Sequence, residues 1–378
     1  MTEKIIKAVE KHRELIFDTQ KFIWENPETG YREVKTSAYL EKLYEDLGYS
    51  IVRAENIPGF YTVIDTGREG PEILILGEMD SLICREHPEC DRETGAVHCC
   101  GHSAQSAALV GIAAAFREDG MLDGLCGRIK LCAVPAEELI EIEYRSELKA
   151  KGIIGYFGGK PEFLSRGYFD GADIAFMVHT SSGNGMSSNA GSVGCVAKKV
   201  TYKGKAAHAG GNPWDGHNAL YAANTGLSAA NALRETFAEP DIIRFHPIIT
   251  SGGNAVNAIP DRVTVESYVR GKTFDAIKNA NFKINRALVG GALSLGANVD
   301  ITDFPGYAPL ENCPGMTELA RDAACALGMD FEYSERTGSG STDMGDLSCI
   351  MPVIHPYISG ASGNAHGKEY YITDPEDT

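Results

Sequence analysis

The sequence predicts an α/β protein in two parts: a largely parallel sheet with helices on both faces, and an inserted α+β domain of ferredoxin-like order. Three observations carry that reading. Over the first 190 residues, short apolar stretches of strand length alternate with amphipathic stretches of helical period, the grammar of a helix-covered parallel sheet. From about Gly191 the order becomes strand, helix, two strands in succession, helix, strand, which is the β-α-β-β-α-β pattern. And 378 residues, 43% of them hydrophobic, exceed what one simple core organises. The expected division is residues 1–190 and 304–378 for the first domain and 191–303 for the insertion.

The elements follow in order. Ile5, Ile6, Val9, Leu15, Ile16 and Phe22 recur at helical spacing and predict one helix from Ile5 to Trp24. Ala38, Leu40, Leu43 and Leu47 predict a second, from Ser37 to Leu47, stopped by Gly48. Strands are expected at Tyr61 to Thr66, Ile73 to Leu76, Gly127 to Val134 and Ala172 to Val178, with a helix at Ala104 to Phe116. In the insertion, strands are expected at Val193 to Tyr202, Ile242 to Thr250, Arg262 to Arg270 and Val299 to Asp303, and helices at Asn218 to Phe237 and Phe274 to Leu295. A helix (Pro314 to Leu327) and a strand (Met351 to Ile358) return the chain to the first domain. The stretch after Glu141, with Lys149-Ala150-Lys151, reads as a solvated loop.

Composition narrows the function. A net charge of −17 argues against nucleic acid and anionic membranes as partners. No apolar run approaches the ~20 residues of a membrane span. The chain opens on a charged amphipathic pattern and not on a secretory signal. Ten cysteines scattered in or beside apolar strands are no disulfide framework, so a cytoplasmic protein with reduced thiols is expected.

The residues that carry chemistry cluster at element ends. In His98-Cys99-Cys100-Gly101-His102 a thiol and an imidazole two apart stand at the mouth of an apolar helix. Thiolate with imidazole suits zinc and its borderline neighbours, although alone the spacing also fits packed core residues. The strand ending at Val134 runs into Pro135-Ala136-Glu137-Glu138. Adjacent residues on extended chain point to opposite sides, so one carboxylate can face a metal and the other a substrate, although an exposed acidic loop would read the same. His179 follows the expected strand Ala172 to Val178, at the end where open α/β sheets place ligands, and His366 lies in the Gly-rich Gly363-Asn364-Ala365-His366-Gly367.

Taken together, these residues resemble the dinuclear-metal amidohydrolase and carboxypeptidase family, which includes aminoacylase, hippurate and auxin-conjugate hydrolases and aminobenzoyl-glutamate hydrolases. The resemblance covers nearly the whole chain. Asn26-Pro27-Glu28-Thr29-Gly30 with Glu33 and Thr36 resembles the family's opening helices, Gly77-Glu78-Met79-Asp80-Ser81-Leu82 its acidic strand end, and His98 to His102 the motif of its thiolate-containing branch. Pro135 to Glu138 matches its paired acids, Gly204 to Ala209 with Asn218-Ala219-Leu220 its lid, and Asn257-Ala258-Ile259-Pro260-Asp261 with Arg270 its lid strands. Gly340 to Asp346 is closer to the aminobenzoyl-glutamate hydrolase and β-alanyl-dipeptidase-like branch.

The resemblance implies a metallopeptidase-type catalytic domain with the insertion as lid. It implies two divalent metal ions per subunit, zinc or manganese, with nickel and cobalt compatible. Cys100 would bridge them, with Glu138 and His366 on one and His102 and His179 on the other. Glu137 would be the general base, His208 would reach the scissile carbonyl oxygen, Asn257 and Arg270 would bind substrate, and Asp80 would orient the site from behind. The expected substrate is an N-acyl amino acid, an aminobenzoyl-glutamate-like conjugate or a dipeptide, and the expected assembly a homodimer through the lid. The alternative is a non-catalytic relative that binds such molecules, against which Glu137 speaks. Ser103 and Gln105 depart from the acid or Asn and the His of many relatives, and the chain ends at Thr378, where relatives usually continue into another helix. Of the remaining histidines, His12 and His87 are expected in solvent, His98 behind the ligands, His217 and His246 on or inside the insertion, and His355 at a strand end. Trp214 is expected to pack at the hinge or lid.

Overall fold

The computed structural model describes residues 2–373, so the chain end at Thr378 lies outside the described residues. The chain divides into two compact units. The first takes the residues up to Gly191, Glu311–Arg336 and those from Asp346 onward; the second takes Ser192–Leu310 and Thr337–Gly345. The second unit thus runs past Asp303 to Leu310, and the Gly338-Ser339-Gly340 turn joins it, with Val193 N–H donating to Gly338 O (3.1 Å).

The first unit is built on a six-stranded sheet in the order Val52–Arg53, Phe60–Asp65, Arg128–Val134, Glu72–Glu78, Ile174–Phe176, Val353–Ile354. From Arg128–Val134 to Val353–Ile354 every neighbour is parallel, and Phe60–Asp65 and the edge strand Val52–Arg53 add two antiparallel pairings. The central strands are apolar and buried almost throughout, as a sheet covered on both faces requires. Leu40, Tyr44, Phe60, Leu109, Val110, Ala113 and Leu131 share one core, in which the Tyr44 and Tyr49 hydroxyls donate to Leu109 O and Ala113 O.

Four local expectations give way. The first helix is two, Thr2–Lys11 and Arg13–Glu25, separated at His12. The apolar stripe continues across the break, which is why periodicity alone joins them. His12 is not simply solvated: its Nε2 lies 2.8 Å from Glu118 Oε1. The stretch after Glu141 is helix Ile142–Ala150, because Ile142 and Leu148 are buried on one face and Arg145 lies wholly inside. His87 is buried, its Nε2 3.0 Å from Tyr370 O, since a ring between strands is worth more packed than wet.

The second unit carries an antiparallel sheet in the order Arg244–Phe245, Arg262–Gly271, Gly194–Lys203, Asn298–Pro305, with Ile248–Ser251 also paired to Arg262–Gly271. Helices Ala219–Ala232 and Phe274–Ser294 cover one face around Tyr202, Val263, Val265, Ile284 and Leu288. This is the ferredoxin-like order. The single strand expected at Ile242 to Thr250 is two short ones, because Pro247 between them has no N–H for the ladder. Trp214 is 78% exposed and packs against nothing substantial in its own unit.

Asn218 has a local task in this unit. Its side chain accepts the Leu220 and Tyr221 N–H groups at 2.9 and 3.0 Å and caps helix Ala219–Ala232. Asn218→Ala should therefore cost about 1 kcal/mol of stability, read as a lower urea midpoint at unchanged slope, with metal content unaltered.

Candidate metal centre

The parallel strands aim their carboxyl ends at one place, where open α/β sheets put ligands. Glu72–Glu78 delivers Glu78 and Asp80, Arg128–Val134 delivers Glu137 and Glu138, and the chain beyond Ile174–Phe176 delivers His179. Cys100 and His102 arrive at the start of helix His102–Ala115, around Gly101, whose φ of 91° suits a residue without Cβ. A side chain there would also strike Thr180 Oγ1 and Tyr370 Oη. His366, at φ 64°, is brought in by its loop, tied by its N–H to Cys99 O at 2.7 Å.

Three sets of ligand atoms gather within 4.8 Å: Cys100, His102 and His179; Cys100, Glu138 and His366; and Glu78, His102 and Glu137. The thiol is shared by the first two, with Sγ 3.4 Å from His179 Nε2 and 3.3 Å from His366 Nε2. His366 Nε2 is also 3.2 Å from Glu138 Oε1. Asp80 works from behind: its carbonyl and Oδ1 lie 2.9 and 3.3 Å from His102 Nδ1, and its Oδ2 accepts the Glu138 N–H at 2.8 Å. These contacts turn His102 Nε2 toward the cluster.

Glu78 Oε2, His102 Nε2 and Glu138 Oε1 are buried without a hydrogen bond and meet one another or His366 only at ion-pair distance. Buried polar atoms in that state are costly unless a cation completes them, and the donor set of thiolate, imidazoles and carboxylates fits a divalent metal ion. The electrostatics agree. Burial pushes Glu138 up, but His366 and then His102 hold it at about 2. Burial pushes the Cys100 thiol well up, with Glu138 adding to it. Burial would lower His102, yet Glu78 and Cys100 hold it well above the usual imidazole range.

Two partners are given no role by the sequence analysis. Glu78 lies inside a recognisable motif but its role appears only in space, with Oε2 3.2 Å from His102 Nε2. Lys160 is wholly buried, its Nζ 2.5 Å from Glu78 Oε1, and nothing local in Gly158-Gly159-Lys160 announces it. Burial raises Glu78, but Lys160 and His102 outweigh it and hold the carboxyl below its usual range. The departures are accommodated: Gln105 Oε1 accepts the Glu78 N–H at 3.2 Å, and Ser103 Oγ accepts from Gln20 Nε2 at 3.4 Å. His98 and His355 are buried, held at about 3 and about 4 chiefly by burial.

The other expected residues are in the second unit. His208 is exposed, bridged to Ala258, with its Nδ1 accepting the Gly210 and Gly211 N–H groups at 3.1 and 2.8 Å. Asn257 is adjacent, its carbonyl accepting the Ala209 N–H at 2.9 Å. Arg270 Nη1 lies 3.4 Å from Ser339 O, and its Nε is buried without a partner in that unit. The three ligand sets are drawn from the first unit alone.

Residues 74–377 match the model of peptidase family M20/M25/M40. The Xaa-Arg dipeptidase of Mus musculus is 29% identical over 391 residues, covering 97% of this chain and 81% of that one. The N-acetyl-L-cysteine deacetylase of Bacillus subtilis is 28% identical over 321 residues, covering 81% and 71%. Among solved structures, a dinuclear metal binding peptidase from the M20 family of Bacillus subtilis superposes with a TM-score of 0.70 at 19% identity, covering 97% of this chain and 94% of that one.

The Glu78–Lys160 pair can be tested directly. Lys160→Met strands a buried carboxylate beside His102 and should cost about 3–5 kcal/mol. The double variant Glu78→Gln with Lys160→Met should recover a large part of that loss, and a double-mutant cycle by denaturant unfolding measures the coupling.

Proposed function

The chain belongs to peptidase family M20/M25/M40, and on that premise we propose that it is a metal-dependent amidohydrolase with two divalent ions per subunit, acting on an N-acyl amino acid, an aminobenzoyl-glutamate-like conjugate or a dipeptide. The observation that carries the reading is the convergence of Cys100, His102, Glu138, His179 and His366 on one shared thiol, with three buried polar atoms left without hydrogen bonds. Cys100, His102 and His179 would hold one ion, and Cys100, Glu138 and His366 the other. The donor set suits zinc or manganese, and nickel or cobalt are compatible. No helix among the described residues is long and apolar enough to cross a membrane. All ten cysteines are unpaired, which supports a reducing, cytoplasmic setting.

Bound dications supply Lewis acidity at the amide carbonyl and lower the pKa of water toward about 7. Glu137 takes the proton of the attacking water and returns it to the leaving nitrogen. Asp80 fixes the His102 tautomer and the Glu138 peptide. His208 donates to the developing oxyanion, a contribution of roughly 3–4 kcal/mol for a donor of this kind. Asn257 and Arg270 hold the substrate, Arg270 through a guanidinium that matches a carboxylate. A binding-only relative has no use for a carboxylate at Glu137 beside a ligand at Glu138. The dipeptidase arm rests on the similarity to the Xaa-Arg dipeptidase, so dipeptides ending in Arg belong in the panel with N-acyl amino acids and aminobenzoyl-glutamate. Dimer formation is expected through the second unit, whose strand Ile248–Ser251 leaves Ile248 and Ile249 exposed at a sheet edge. A monomeric mass at micromolar concentration overturns that part.

The two acids should separate. Glu137→Gln should keep metal content and substrate affinity while kcat falls at least ~10²-fold. Glu138→Gln should weaken metal binding, with partial recovery in added metal. Equal loss of metal in both variants means the roles are misassigned. Cys100→Ser should lose metal and activity together, because a neutral hydroxyl replaces a thiolate poorly; full stoichiometry in that variant removes the bridge.

A further inference from the structure

The loop that bears the two acids takes a conformation that its own sequence does not favour. Ala136 has φ 59°, left-handed backbone for a residue with a Cβ, which costs about 1–2 kcal/mol. Such a residue persists only where its surroundings over-determine it, and here they do. The Ala136 N–H donates to Glu33 Oε1 at 2.8 Å, and the Ala136 carbonyl accepts from Gly159 N–H at 3.2 Å and Arg145 Nη1 at 3.3 Å. Arg145 Nη1 also donates to Phe157 O at 2.5 Å, and its Nη2 donates to Glu138 O. Glu33 and Arg145 are both wholly buried. One guanidinium therefore grips the carbonyls on either side of Glu137, while Asp80 takes the Glu138 N–H between them.

We propose that Arg145 is a positioning residue: through the left-handed Ala136 peptide it sets the directions in which Glu137 and Glu138 diverge. It touches neither substrate nor ion. Its fork matters because the two carbonyls lie in different directions, which a single ammonium cannot span. Gly30 leaves the room: a methyl group there would collide with Arg145 Nη2 and approach Ala136 Cα to 2.9 Å. The proposal rests on the reading of Glu137 as base and Glu138 as ligand, but its second half is independent of turnover.

The test uses the full-length chain, with kcat, KM and zinc affinity by competition with a chromophoric chelator. Arg145→Lys should lower kcat by about a hundredfold, the scale of a small misplacement, with KM within about threefold. Affinity for the more weakly held zinc ion should fall about 10- to 100-fold, the scale for an outer partner of a ligand. Adding Ala136→Gly, which accepts positive φ without strain, should restore most of both. A urea midpoint measured alongside separates this from a general loss of stability, since kcat and zinc affinity are read on the folded fraction. Wild-type kcat and zinc affinity in Arg145→Lys overturn the proposal, as does a loss that Ala136→Gly leaves untouched. Should Arg145→Lys fail to fold, Gly30→Ala displaces the guanidinium without removing it and should produce the same split; unchanged values there overturn the proposal too. If the wild-type protein hydrolyses nothing in the panel, the functional reading falls, and zinc affinity still decides the clamp.

Discussion

A carboxylate taken out of water must be answered by positive charge, and the first unit is arranged around that demand. Glu33, Glu78, Asp80, Glu137 and Glu138 are each at most 8% exposed; the last four lie within a few residues of strand ends and Glu33 precedes helix Val34–Asp46. The fixed cations supplied to them are Lys160, which meets Glu78, and Arg145, which is occupied with backbone carbonyls. The rest of the compensation falls to imidazoles drawn from distant parts of the chain, and to the ions that a thiol and three imidazoles can hold. Without that compensation the sheet would have to keep several kcal/mol of unanswered charge per buried ion. The site is therefore not an ornament on the fold; its charges and the fold's strand ends are one design.

The same demand places two neighbouring acids in different surroundings. Glu138 has its peptide N–H fixed by Asp80, its carbonyl by Arg145 and its carboxylate beside His366, so every part of it is committed. Glu137 falls with Glu78 and His102 in a separate set. A pair of identical side chains, adjacent in sequence, is thereby given different surroundings, the difference on which the proposed split between base and ligand rests.

What was legible in the sequence was what repeats or ends. Alternating strand and helix gave the parallel sheet, and the change of order near Gly191 gave the second unit, because periodicity reports which face is buried. Cys100, His102, Glu138 and His179 stand out in the sequence beside element ends and His366 in a Gly-rich loop, and the structure brings the five together. Lys160 was not, since a lysine in a short helix looks like any solvated one until its partner 82 residues earlier is brought to it. Arg145 was read as part of a solvated stretch for the same reason, and the left-handed Ala136 has no signal at all in residue type. His87 was misjudged because burial of a single loop ring depends on Tyr370, far along the chain. The common cause is long-range pairing, to which local patterns are blind.

The order of the chain has a consequence for how the protein is made. Strand Val353–Ile354 closes the first unit's sheet, and His366 completes the group around Cys100, yet both follow the entire second unit in sequence. On the ribosome, domains fold as they emerge, amino end first. The nascent first unit therefore lacks one sheet strand and one of the five side chains grouped about the Cys100 thiol until after the second unit, continuous apart from one short return, has been made. On the reading proposed above, stable loading of ions would come last, once His366 has been released. A chain stopped between Val353 and His366 would keep the Cys100 thiol and lose the imidazole that stands 3.3 Å from it.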